Sequence, residues 1–177
     1  MTDHKDEDTP APWNSRIPAF NQEAAAASAR RGDAIAKPLG CLGRLERAVT
    51  RISGVTGNHR YSLDRRVVVV MCADNGVVGR GVTQTGSDVT AVLARNLVTG
   101  NISVCKMAAV ARAEVVPVDM GVLTDLRLEA LLDRRVAAGT GDIAAGPAMS
   151  RDQALRAIAT GVALAREQHA TGCRILL

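Results

Sequence analysis

The sequence predicts an α/β fold, a parallel sheet with Rossmann-like βαβ units and a helical N-terminal arm. Three observations predict it. The β-branched run at residues 67–73 stops at Asp74-Asn75-Gly76, a strong turn signal. Two stretches of helical period follow, and then a short apolar stretch at residues 114–119. A capped amphipathic stretch from Ser150 leads into a third apolar stretch at residues 173–177.

Residues 1–14 read as a disordered tail, whose His4, Asp6, Glu7 and Asp8 are solvated charges rather than metal ligands. Residues 15–64 read as the helical arm. Its first helix is expected over residues 17–36, with Pro18 in the first turn and Gly32-Asp33 as a candidate break. A turn-rich connector at residues 37–43 follows. The second helix carries Leu42, Leu45, Val49 and Ile52 at helical spacing and ends at Gly54 or Gly57.

Residues 65–177 read as a partial α/β domain that binds a nucleotide or base. Its first strand has no polar alternation, which suits a strand covered on both faces. A glycine-punctuated loop then runs through Gly79, Gly81 and Gly86. Ser87 is the expected N-cap of a helix with Val89, Val92, Leu93 and Leu97 on one face, closed by Gly100. A further helix spans residues 102–111, with Val104, Met107, Ala108 and Ala111 together. Pro117 makes the second strand an edge or bulged one. Residues 121–149 read as loop, with a short helix at residues 125–132.

Ser150-Arg151-Asp152-Gln153 is a capping box. It opens a helix with Ala154, Ile158, Val162 and Ala165 on one face, ended by Gly172. The third strand closes the sequence. Ligands of open α/β sheets sit beyond the carboxyl ends of strands, so the fold is expected to be truncated after this third strand.

Composition narrows the function. The 177 residues are 47% hydrophobic, enough for a buried core. Trp13, Phe20 and Tyr61 are the whole aromatic complement, too few for base-stacking platforms. The net charge is +4, and the arginines are spread rather than set in a stripe. No nucleic-acid partner is expected. The longest apolar run is strand-sized, so no membrane partner is expected either. The start, MTDHKDEDTPAPW, has no hydrophobic signal region, which points to the cytoplasm. Cys41, Cys72, Cys105 and Cys173 include no C-x-x-C pair.

Generic motifs give little. Gly139-Thr140-Gly141-Asp142-Ile143-Ala144 matches G-x-G-x-x-A, but Gly146-Pro147 blocks the helix that a dinucleotide fingerprint needs. His4, His59 and His169 are far apart, and neither a zinc set nor a Ser/His/Asp triad is indicated. No metal and no cofactor are expected. The remaining candidate is the loop after the first strand. It holds short hydroxyls, flexible glycines and a strand-end carboxylate, Asp74.

Six motifs in order carry a resemblance. They are Lys37-Pro38-Leu39-Gly40 with Leu42-Gly43-Arg44-Leu45-Glu46, then Cys72-Ala73-Asp74-Asn75-Gly76-Val77, then Gly81-Val82-Thr83-Gln84-Thr85 with Val89-Thr90-Ala91. Ser103-Val104-Cys105-Lys106-Met107-Ala108, Val118-Asp119-Met120-Gly121 and Gly146-Pro147-Ala148-Met149-Ser150 complete the set. Together they resemble the nicotinate-nucleotide–dimethylbenzimidazole phosphoribosyltransferases over residues 17–177.

The resemblance implies transfer of phosphoribosyl from nicotinate mononucleotide to 5,6-dimethylbenzimidazole, giving α-ribazole 5′-phosphate and nicotinate, for the lower ligand of cobalamin. It implies that Thr83, Thr85 and Leu93 border the base slot and that the turn Asp74, Asn75, Gly76 shapes the crevice. No catalytic residue is expected in this chain. By resemblance, the family's phosphate loop and general-base glutamate lie beyond Leu177, so the chain reads as the N-terminal half and is expected to be inactive alone. The partners implied are the two small-molecule substrates and a second copy in a homodimer, or a second-half subunit. The rival readings are a non-catalytic subunit or remnant of a split enzyme, and a generic nucleotide-binding α/β module.

Overall fold

The computed structural model describes residues 17–177. The expected tail at residues 1–14 lies outside them. The chain forms two compact units, divided between Leu63 and Asp64.

The N-terminal unit is a pair of packed helices, α1 (Gln22–Asp33) and α2 (Arg44–Thr56). Helix α1 starts later than expected because Asn21 caps it: its Oδ1 accepts the Ala24 N–H at 2.9 Å. Residues 17–20 therefore precede the helix, and Pro18 is not in its first turn. Of the two candidate ends for α2, Gly57 is the one used, in the left-handed conformation that favours glycine. Gly54 serves packing instead: a Cβ there would fall inside the Phe20 ring. Between the helices, Lys37 Nζ donates to Glu46 Oε1 at 2.8 Å, and the Leu42 N–H donates to the same oxygen at 3.3 Å. One carboxylate thus clasps the glycine-rich connector.

The C-terminal unit holds four parallel strands in the order β3-β2-β1-β4, one more than expected. They are β1 (Arg66–Ala73), β2 (Ala113–Gly121), β3 (Leu132–Asp133) and β4 (Ile175–Leu176). The extra strand, β3, falls where a short helix was expected at residues 125–132. That segment is non-helical, and Leu132 and Asp133 pair with Val118 and Asp119. Strand β2 is therefore interior rather than an edge, although its register does shift opposite Cys72 and Ala73. Pro117 is tolerated there. Two residues on, the Asp119 carbonyl faces β3 and accepts the Arg134 N–H at 2.9 Å. Polar groups alternate sides along a strand, so the N–H that Pro117 lacks would face β3, which begins only opposite Val118.

Helices α3 (Asp88–Val98) and α4 (Ser103–Val110) pack on one face of the sheet, against Val70, Cys72 and Val115. The buried face of α3 is Ala91, Ala94 and Leu97, not Val92 and Leu93, and Leu93 is 42% exposed. The small side chains let the helix approach the sheet closely. Likewise α4 buries Ala108 and leaves Met107 exposed.

Helix α5 (Arg151–Ala170) serves the opposite face, as the alternation of β1 side chains requires. It turns Gly161 toward Met71 and buries Leu164, while Ile158 stays exposed. Met71 is 48% exposed, so β1 is not fully covered on both faces. The capping box of α5 is complete: Ser150 Oγ accepts the Gln153 N–H, and Gln153 Oε1 accepts the Ser150 N–H. Among the described residues, no helix is long and apolar enough to cross a membrane.

Candidate functional site

The strand order places β1 between a chain that moves outward to β2 and β3 and one that returns to β4. The carboxyl ends of such strands form the crevice where open α/β sheets bind ligands. The sequence at those ends supplies two aspartates, and both fold inward. Asp74 is 3% exposed and Asp119 is 4% exposed.

Asp74 ties three segments together. Its Oδ2 accepts the Leu123 N–H at 2.7 Å, its own N–H donates to the Gly121 carbonyl at 3.0 Å, and its carbonyl accepts the Thr140 N–H at 2.9 Å. Asp119 acts similarly within its own loop. Oδ1 accepts the N–H groups of Gly121 at 2.9 Å and Val122 at 2.8 Å. The Arg135 guanidinium stands 3.4 Å from the other oxygen and also donates to the Val122 and Thr124 carbonyls. A buried carboxylate committed to main-chain N–H groups holds a loop in place.

The same two charges act on Cys72, at the end of β1. Burial pushes its thiol above the ordinary range, and Asp119 and Asp74 add to the shift. It is a buried thiol at the end of the strand.

Gly76 opens a single 3₁₀ turn, Gly76–Arg80. A Cβ on it would stand 2.6 Å from the Gly141 carbonyl carbon and 2.7 Å from the Thr140 oxygen. The glycine is required by backbone contact with the 139–142 segment. Its N–H donates to Thr140 Oγ1 at 3.3 Å, and Arg80 pairs with Asp142 beside it. The G-x-G-x-x-A match therefore forms a wall against the first strand's loop and opens no helix.

Over this frame lies an apolar pocket of about 120 Å³. Ala73 of β1, Met120 and Gly121 of β2, and Val136, Ala137, Gly139 and Thr140 form one side; Met149, Gln153 and Ala157 close it. Of the expected site residues, Asp74 and Gly76 hydrogen-bond to Thr140 of the pocket wall, but Asp74, Asn75 and Gly76 do not themselves line the pocket. Thr83, Thr85 and Leu93 do not line it. The Thr83 hydroxyl donates to the Thr85 carbonyl at 2.6 Å within an exposed loop. The pocket residues were not singled out as site residues from the sequence. A signal was present, because Ala73, Met120-Gly121 and Met149 each sit in one of the six motifs. Among the described residues, no three His, Cys, Asp or Glu side chains are grouped to hold a metal.

A family model described as phosphoribosyltransferase matches residues 17–177. Relatives named nicotinate-nucleotide–dimethylbenzimidazole phosphoribosyltransferase match most of the chain. That of Acetivibrio thermocellus is 40% identical over 147 residues, covering 83% of this chain and 42% of the relative. This chain belongs to the nicotinate-nucleotide–dimethylbenzimidazole phosphoribosyltransferase family.

Another family member, from Roseiflexus sp. strain RS-1, is 41% identical over 163 residues, 92% of this chain and 46% of the relative. The crystal structure of the Thermus thermophilus member superposes with a TM-score of 0.83 at 35% identity, covering 89% of this chain and 48% of that one. The chain thus spans slightly less than half the length of the family members it matches.

Proposed function

We propose that this chain is the N-terminal half of an enzyme that transfers phosphoribosyl from nicotinate mononucleotide to 5,6-dimethylbenzimidazole. The observation that carries the reading is the family match over all the described residues, 17–177. In the reaction, a ring nitrogen of the base attacks the ribose C1′, and the bond from C1′ to the nicotinate nitrogen breaks. Nicotinate leaves with that electron pair. The other ring nitrogen of the base loses its proton to a carboxylate. The sugar gains positive charge on the way, which a nearby anion stabilises.

The chain supplies a shaped crevice rather than the reacting groups. Its two strand-end carboxylates, Asp74 and Asp119, are occupied by main-chain N–H groups. By the family resemblance, the proton acceptor and the phosphate loop are expected outside these 177 residues. In this reading Thr83, Thr85 and Leu93 border the base slot, and the Asp74–Gly76 turn fixes the crevice beside it. The working protein is a cytoplasmic homodimer or a complex with a second-half subunit.

The test is nicotinate release from nicotinate mononucleotide and dimethylbenzimidazole, followed by chromatography. The 177-residue polypeptide alone is expected to give none. Fused to the remaining half of the Thermus thermophilus relative, it is expected to form α-ribazole 5′-phosphate. A folded fusion that forms no product, beside an active intact relative, would overturn the assigned reaction. Turnover by the isolated chain would overturn the claim that the reacting groups lie elsewhere.

A further inference from the structure

The loop at residues 81–87 is anchored at its root by an ion pair. Residues 79–86 are all exposed. Among the described residues, the Thr83 hydroxyl donates to the Thr85 carbonyl, and residues 82–85 make no hydrogen bond outside the loop. Gly81, at the root, has a φ of 74° and open space where a Cβ would stand. Such a glycine turns freely, so the direction of the loop depends on what holds the residue before it. That residue is Arg80, the last of the 3₁₀ turn. Its Nε donates to Asp142 Oδ2, 62 residues on. The carboxylate is itself fixed, because its other oxygen accepts the Ala144 N–H at 2.9 Å. The turn is thus tied to the 139–142 wall twice, by the Gly76 N–H on Thr140 Oγ1 and by Arg80 on Asp142. The side chains of the pair are 50% and 26% exposed, so it adds little to global stability, and its effect is local.

We infer that Arg80 is a positioning residue: paired with Asp142, it fixes the root of the 81–87 loop, so that Thr83 and Thr85 are set in place before the acceptor base arrives. The inference rests on the reading in which those two threonines border the base slot. A loop that must first find its binding position weakens its ligand in proportion to the time it spends elsewhere. Arg80 acts through the loop and touches no reacting atom. Its loss therefore lowers affinity for the base and leaves the transfer step as it was.

The test has two parts. In the 177-residue chain, ¹⁵N relaxation follows the amides of residues 81–85. Arg80→Met removes the guanidinium and is expected to lower their order parameters below about 0.6. Thr140 and Gly141 are expected to stay rigid, with the thermal midpoint within about 2 °C of the native chain. Arg80→Lys keeps the charge and is expected to keep most of the order. Asp142→Asn still offers an oxygen to the Ala144 N–H and is expected to loosen the same amides. The double variant is expected to loosen them no further than either single one. In the fusion with the remaining half of the Thermus thermophilus relative, Arg80→Met is expected to raise the KM for dimethylbenzimidazole roughly fivefold. The kcat and the KM for nicotinate mononucleotide are expected to stay within about twofold. Unchanged loop order in Arg80→Met, additive loosening in the double variant, or an unchanged base KM in an active fusion would overturn the inference. If the native fusion turns over no substrate, the assigned reaction fails, and relaxation of the loop alone decides the role of Arg80.

Discussion

Asp74 Oδ2 accepts the main-chain N–H of Leu123 at 2.7 Å, across 49 residues of sequence. The bond ties the exit of β1 to the exit of β2, and it makes Asp74 a brace for the crevice. Asp74→Ala leaves that N–H without its partner and is expected to destabilise the C-terminal unit by about 1–3 kcal/mol. Asp74→Asn retains an acceptor oxygen and is expected to cost less. Urea denaturation of the two variants checks the order. Equal losses would show that the bond contributes little.

Gly76 has no room for a side chain, because a Cβ would meet the backbone of Thr140 and Gly141 below 3 Å. Gly76→Ala is expected to lower stability by about 1–3 kcal/mol, as overpacking does. It should also push the 139–142 wall away from β1. Thermal unfolding measures the first effect, and amide shifts of Thr140 and Gly141 report the second. Gly79→Ala, with nothing within 4 Å of its Cβ, is the matched control.

The Lys37–Glu46 pair gives the N-terminal unit a pH dependence of defined sign. The hydrogen bond from Lys37, then that from the Leu42 N–H, holds the Glu46 carboxyl below its ordinary value of 4.5. The hydrogen bond to Glu46 raises Lys37 above 10.5. A depressed carboxyl adds stability above its unfolded pKa and loses it as pH falls through the folded value. A raised amine adds stability below its unfolded pKa and loses it as pH rises through the folded value. The clasp is therefore whole from about pH 5 to 10 and opens on either side. Carbon-detected titration of Glu46 is the check, with Lys37→Met expected to return its midpoint toward 4.5.

Thiol reactivity separates the cysteines. Cys41 is exposed, whereas Cys72 is buried with its thiol pushed up by burial and by Asp119 and Asp74. Iodoacetamide at about pH 8 is expected to modify Cys41 far faster than Cys72, because the thiolate is the reacting form. Peptide mass spectrometry gives the two rates. Comparable rates would mean that the α3 face of the sheet opens readily.

Where a periodicity spans several turns, the sequence located the element. The bounds of β1 and α5 fall within a residue or two of those expected, since a β-branched run and a capping box are local signals. Strand β3 was illegible because two residues have no period, and Leu132-Asp133 becomes a strand only through pairing with β2. The faces of α3 and α5 were misread for a related reason. Large apolar residues mark a helix as amphipathic, but close packing on this sheet selects Ala91, Ala94 and Gly161 instead.

The sequence by itself determined the order of the five α-helices and of β1, β2 and β4, the parallel α/β class and the six motifs that carry the family. Only the tertiary structure decided what those motifs do. Asp74 looked like a crevice carboxylate, yet its partner is a backbone N–H at Leu123. The pocket joins Ala73, Met120, Met149 and Gln153, drawn from β1, β2 and the start of α5. Local signals are carried by neighbours in the chain, whereas a pocket is made by strands that end together, so its lining follows from sheet register and helix placement.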